Sequence, residues 1–177
     1  VGPTLQTLDL SGIAILTLGP TSSFGGDVNF KAPQLYLNGT TFTGTTYLEK
    51  EGATDNLSTG GNTFNGTTTI VDSGSGYIIT ANSVPDIFNG DLTVTNTGSN
   101  TIYLAYPVTG SQFNGDITFN STLGSGGISF AQTATGDATL GNGASLNVGG
   151  LGFSSGTLRF RRFTQIGNAA QTLLLTG

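Results

Sequence analysis

Asp91, Asp116 and Asp137 each follow a glycine and stand 25 and 21 residues apart. In a chain that stacks similar turns, this spacing sets carboxylates one above another, close enough to repel unless a cation or hydrogen-bond donors compensate. They form a candidate calcium column, or an acid pair for glycoside cleavage. The simpler reading is that an Asp after Gly satisfies the N–H groups of a corner. The calcium-binding nonapeptide G-G-x-G-x-D is absent, and Gly25-Gly26-Asp27 is only a fragment of it.

Two positions beyond these acids stand Thr93, Thr118 and Thr139, and Thr69 stands two beyond Thr67 of the preceding copy; the four resemble the threonine arrays of ice-binding solenoids, although β-propensity alone places Thr on exposed strands. Tyr36 and Tyr103 are expected to face outward from a second strand, in a column read as Tyr36, Ile78, Tyr103 and Ser129; such rings stack on sugars or on a neighbouring solenoid. Asn65-Gly66, Asn89-Gly90 and Asn114-Gly115 repeat as corners. Their Asn and Gly tolerate positive φ, and three stacked amides form a hydrogen-bonded ladder. Arg159, Arg161 and Arg162 read as a solvated patch or an inter-domain contact, and Lys50 with Glu49 and Glu51 as a solvated loop.

The composition narrows the chemistry further. Among 177 residues there is no His, Cys, Met or Trp, against 29 Gly. Imidazole bases, thiol nucleophiles and thiolate metal sites are thereby excluded. Asn65 to Gln132 holds no Lys, Arg or Glu, which argues against a lyase or hydrolase groove there, and the chain is expected not to be an enzyme. A net charge of -5 and a single cluster of basic residues argue against nucleic acid. No apolar run is long enough to span a bilayer, and Leu5 to Leu18, interrupted by Asp9, Ser11 and Gly12, does not read as a signal peptide.

What must position these residues is a repeat. Phe, one residue, Gly, then Asp or Thr recurs at Phe24, Phe42, Phe64, Phe88 and Phe113, at spacings of 18, 22, 24 and 25 residues. Degenerate copies are read at Ala134-Thr135-Gly136-Asp137-Ala138 and Ser154-Ser155-Gly156-Thr157-Leu158. Each copy continues in period-two alternation, as in Asp116-Ile117-Thr118-Phe119-Asn120, which predicts a short half-buried strand. Gly-rich linkers lead to second strands at Tyr77-Ile78-Ile79, Ile102-Tyr103-Leu104 and Ile128-Ser129-Phe130. A period near 20 is half a propeller blade, and the segments before each Asn-Gly alternate too poorly for antiparallel hairpins. The chain is therefore read as all-β, a right-handed parallel β-helix of about seven to eight coils of roughly 18–25 residues, forming one segment over 1–177. Stacking at ~4.8 Å also explains the scarcity of charge, since every charge would repeat in a column. Uncapped end coils would meet neighbouring solenoid segments or copies of the same chain.

Asn62-Thr63-Phe64-Asn65-Gly66-Thr67-Thr68-Thr69-Ile70, Ser73-Gly74-Ser75-Gly76-Tyr77, Pro85-Asp86-Ile87-Phe88-Asn89-Gly90-Asp91-Leu92-Thr93-Val94 and Gln112-Phe113-Asn114-Gly115-Asp116-Ile117-Thr118-Phe119 resemble repeats of very large secreted surface proteins of Bacteroidota. The similarity continues at Gly152-Phe153-Ser154-Ser155-Gly156 and Arg162-Phe163-Thr164-Gln165. The resemblance implies a segment of a giant protein exported by the type IX system to the cell surface or beyond. It implies a role in adhesion, surface coating or gliding, while the columns of polar side chains are read as those of a structural and adhesive stalk or filament that meets surface glycans or neighbouring solenoids. It carries no catalytic residues and no cofactor beyond the calcium considered above.

Overall fold

Val28–Ala32 alternates buried and accessible side chains along its five residues, with Val28, Phe30 and Ala32 inward. The same alternation recurs in Thr46–Lys50 and over the first three residues of Thr68–Asp72, Leu92–Asn96 and Ile117–Ser121, and these strands lie side by side, parallel and in register. With Gln6–Asp9 at one edge and Leu146–Phe153 at the other they make a seven-stranded sheet. A computed structural model describes residues 4–10, 12, 14–122 and 124–173. They form a right-handed parallel β-helix, all-β throughout.

Two further sheets complete each coil. The second holds Asn56–Leu57, Ile78–Ile79, Thr101–Leu104, Gly127–Phe130 and Thr157–Phe160, and the third runs from Ser23–Phe24 to Phe163–Gln165. Ile15–Leu18 and Gln34–Leu37 pair separately. Every strand pairing is parallel, so successive coils stack backbone on backbone, ~4.8 Å apart.

The repeated Phe explains the third sheet. Phe24, Phe42, Phe64, Phe88 and Phe113 share one register column, and their rings stack face to face with centroids 5.5, 5.0, 4.5 and 5.0 Å apart. Each coil thus buries one ring against its own copies. Thr46 and Thr68, polar residues in the inward column of the first sheet, turn their hydroxyls onto the carbonyls of Gly44 and Gly66, which removes the cost of burying them.

The corner glycines serve space rather than φ. Gly66, Gly90 and Gly115 do not have positive φ, contrary to the expectation from the sequence. A Cβ on Gly90 would lie 2.5 Å from the Gly66 carbonyl oxygen, and one on Gly66 would lie 2.4 Å from that of Gly44. Stacked coils meet so closely at this corner that only hydrogen fits.

The last two copies of the motif are out of phase with the first five. Ala138–Leu140 belongs to the third sheet, where Ala138, Thr139 and Leu140 pair with Ser111, Gln112 and Phe113. Thr157–Phe160 belongs to the second, beside Gly127–Phe130. The first sheet is continued instead by Leu146 and Val148, register partners of Ile117 and Phe119. Leu140 takes the place of the column Phe, and the corner that follows is two residues longer. Gly-Asp and Gly-Thr mark more than one corner, so only the Phe fixes the phase.

Candidate functional site

The Asp column divides accordingly. Asp91 and Asp116 are neighbours one coil apart, each immediately before a register pair, Leu92 and Ile117. Asp27 Oδ1 accepts from the backbone N of Thr45 at 2.7 Å, Asp91 Oδ1 from that of Asp116 at 2.9 Å, and Asp116 Oδ1 from that of Ser145 at 2.8 Å. Each carboxylate therefore caps the next coil's corner. Asp137 is not in this column; it lies by the third sheet, where Oδ1 accepts from Gly110 N at 2.6 Å and Oδ2 faces Arg162 at 3.8 Å. Ser145 occupies the place it was expected to fill. Among the described residues, no group of three or more His, Cys, Asp or Glu is arranged to hold a metal ion.

The Asn corners form a surface ladder. Asn89 Nδ2 donates to Asn65 Oδ1 at 2.8 Å and Asn114 Nδ2 to Asn89 Oδ1 at 2.9 Å. Thr69, Thr93 and Thr118 stand in one outward column between Tyr47 and Asn147. Thr139 does not join them, because it pairs with Gln112 and Thr164.

Three polar groups inside the solenoid escaped the sequence reading. Lys50 is not in a solvated loop: it is fully buried, its Nζ 3.7 Å from buried Asp72 and bonded to the carbonyls of Gly52 and Gly76 at 2.6 and 2.7 Å. Desolvation lowers the Lys50 pKa and raises that of Asp72 to about 6 despite their attraction. Period-two alternation from Thr46 puts Lys50 inward, and the same count from Thr68 puts Asp72 inward one coil later. A matched charge at equal phase in adjacent repeats was the available signal. The third, Asp86, is also buried, and burial pushes its pKa up to about 7 against the hydrogen bonds it accepts from Asn62.

A charged group decorates the outside of the first sheet. Lys31 Nζ lies 2.8 Å from Glu51 and 3.7 Å from Glu49. Glu49 also accepts from the hydroxyls of Tyr47 and Ser73, at 2.8 and 2.7 Å. Partial burial and this bond to Glu49 push Tyr47 up to about 12, and the hydrogen bond to Glu51 raises Lys31. Both glutamates are thus committed to local partners.

The outer face of the second sheet has a different character. Ile79, Tyr103, Ser129 and Arg159 are successive register partners. Ile78 turns inward beside Ile102 and Ile128, so it does not belong with Tyr103 as expected. Tyr36 lies in the separate sheet, opposite Thr17, with its hydroxyl accepting from Gln34 Nε2. Tyr103 is instead flanked by Tyr77 and Tyr106, edge-to-face at centroid distances of 5.9 and 5.3 Å. Two hollows meet at its ring. One, of about 180 Å³, is lined by Leu57, Tyr77, Ile79, Tyr103, Tyr106 and Gln132; the other, of about 160 Å³, by Thr101, Tyr103, Gly126, Ser129, Thr157 and Arg159.

Gln132 joins the two. Its Oε1 accepts from Ser129 Oγ at 2.8 Å and from an Arg159 guanidinium nitrogen at 2.7 Å, while Arg161 reaches its backbone carbonyl at 3.1 Å. The result is a furrow of aromatic edges, an oriented amide and guanidinium groups. Neither the tyrosine trio nor its junction with the arginines follows from the repeat, because Tyr77, Tyr106 and Gln132 recur in no other coil.

Comparison of the chain with protein-family models, curated proteins and solved structures gives no match.

Proposed function

We propose that this chain is a non-enzymatic structural and adhesive solenoid segment of a large extracellular surface protein. The observation that carries the proposal is the employment of the acids: nine of the ten are bound to structural partners. Asp27, Asp91 and Asp116 cap corners. Asp55 accepts from Tyr77 N, Asp137 meets Gly110 and Arg162, and Glu49 and Glu51 bind Lys31. Asp72 and Asp86 are buried, bonded to Gly74 and Asn62. A scaffold uses its charges in this way, whereas a hydrolase keeps a pair of them facing substrate.

The stacked Phe rings and parallel ladders supply rigidity along the coil axis. Apolar side chains reach solvent both near the terminal coils, at Leu5, Ile15, Leu151 and Ile166, and mid-solenoid, at Leu57 and Val84, which suits contact with neighbouring solenoid segments or copies of the chain. The surface location rests on the resemblance to Bacteroidota surface repeats. Antibody raised against the segment and applied to intact cells of the source organism tests it. Labelling of intact cells is expected; labelling only after permeabilisation overturns the proposal.

A carbohydrate-binding module is the second reading, and the aromatic furrow on the second sheet favours it as an elaboration of the first.

A further inference from the structure

We propose that the furrow centred on Tyr103 binds an acidic polysaccharide, a polymer containing uronate sugars, with the tyrosines stacking on sugar faces and Arg159 and Arg161 pairing with carboxylates. This deepens the adhesive reading above by naming its ligand class, and it rests on that reading for its biological setting only.

Charge complementarity selects the ligand. The chain carries 5 basic residues against 10 acidic ones, and three of the five lie within Arg159 to Arg162. Arg162 faces Asp137. Among the described residues, Arg159 and Arg161 have no carboxylate partner; their recorded bonds go to Gln132. Guanidinium groups held this way keep further N–H donors for a planar anion. Elsewhere the protein is acidic and repels a polyanion, and Asp55 lies beside Tyr77 at one end of the furrow, so such a polymer settles with its carboxylates at the arginine end.

Shape selects a chain over a small anion. Ile79, Tyr103, Ser129 and Arg159 form a row along the solenoid axis, about 14 Å from end to end at ~4.8 Å per coil. Hollows on both sides of Tyr103 give its ring two accessible flanks. Tyr77 and Tyr106 hold that ring by edge-to-face packing, so little side-chain freedom is lost when a sugar stacks on it. Leu57, exposed above the buried Ile79, offers an apolar surface to the C–H face of a pyranose, and Gln132 in one hollow and Thr101 in the other offer polar groups to its hydroxyls. A nucleic acid also presents anions and flat rings, but two free guanidiniums in a chain of net charge -5 are too few for the counterion release that drives phosphate-backbone binding.

Affinity electrophoresis of the full 177-residue chain tests the proposal, with polygalacturonate or alginate in the gel, neutral hydroxyethylcellulose as control and oligothymidylate as competitor. Expected are retardation by at least one uronate polymer, none by the neutral polymer, and weakening with added salt. Tyr103→Ala and the pair Arg159→Gln/Arg161→Gln should each weaken retardation tenfold or more, while Tyr103→Phe retains most of it. The arginine pair is exposed, so its circular dichroism and melting temperature should match the parent's, which keeps the test valid if Tyr103→Ala unfolds. The proposal is overturned by no retardation on either uronate polymer, by equal retardation on the neutral polymer, by retardation that the arginine pair leaves unchanged, or by displacement with oligothymidylate at equal or lower concentration. Each outcome is independent of the cell-labelling result, so loss of the ligand assignment and loss of the surface location are distinguishable.

Discussion

Asp86 Oδ1 accepts two hydrogen bonds from a single residue one coil earlier, the backbone N of Asn62 at 2.8 Å and its Nδ2 at 2.9 Å. Asn62 Oδ1 in turn accepts from Thr40 N at 3.0 Å, and Ser111 Oγ from Asp86 N at 3.3 Å. An interior column of side chains therefore replaces backbone acceptors at this corner, coil after coil. Among the described residues, Asp86 Oδ2 has no partner in good hydrogen-bond geometry, although the neighbouring Thr80 hydroxyl favours its charged form.

Stability should fall as pH rises from about 4 to about 7 and level off above it. The folded-state pKa of Asp86 is raised to about 7 from 3.8, so the fold prefers the neutral acid. Its contribution is complete below the unfolded value and lost as pH rises through about 7. Asp72, raised to about 6, acts in the same direction. At about 1.4 kcal/mol for each pH unit between the two pKa values, Asp86 alone accounts for a loss of about 4 kcal/mol between pH 4 and pH 8, and Asp72 adds to it. Urea denaturation across that range should show it, and Asp86→Asn should flatten the dependence while raising stability at pH 8.

Lys50 and Asp72 should behave as a coupled pair. Lys50→Met leaves Asp72 buried without its cation and should cost about 3–5 kcal/mol. Adding Asp72→Asn should recover most of that loss, because Asn96, in the same column one coil on, already caps Gly98 N at 3.0 Å as Asp72 caps Gly74 N at 3.1 Å. A double-mutant cycle by urea denaturation measures the coupling.

Gly90→Ala should destabilise by about 1–3 kcal/mol, since its Cβ meets fixed backbone rather than a movable side chain. Gly150→Ala, with no atom within 4 Å of the added carbon, should be close to neutral. Melting temperatures of the two variants provide the comparison.

The corrected register is testable by cross-linking, and the chain's lack of Cys leaves no competing thiol. Thr118→Cys with Asn147→Cys joins register partners at a Cα separation of about 5 Å, within disulfide range. Thr118→Cys with Thr139→Cys joins the pair that the motif spacing suggested. Only the first should oxidise to an intramolecular disulfide, read by thiol titration.

These contrasts show what the sequence made legible. Period-two alternation and the recurring Phe place Val28, Thr46, Thr68, Leu92, Ile117, Ala138 and Leu158 in one inward column; the first five pair so, whereas Ala138 lies in the third sheet and Leu158 in the second. The phase was lost where Leu140 replaces Phe and Ser145 replaces Asp, because Gly next to a small polar residue fits any crowded corner. Lys50, Asp72 and Asp86 were missed because polarity was equated with exposure, whereas a solenoid interior has backbone groups at its corners that need polar side chains. The Tyr103 furrow depends on residues that do not repeat, and periodicity carries no information about them.

We propose that this solenoid holds a glycan without altering it. Incubating the chain with polygalacturonate, sedimenting the complex and measuring reducing ends and polymer length in the same sample tests this most directly. Co-sedimentation with polymer length unchanged is expected; release of new reducing ends or unsaturated fragments in proportion to protein overturns the proposal.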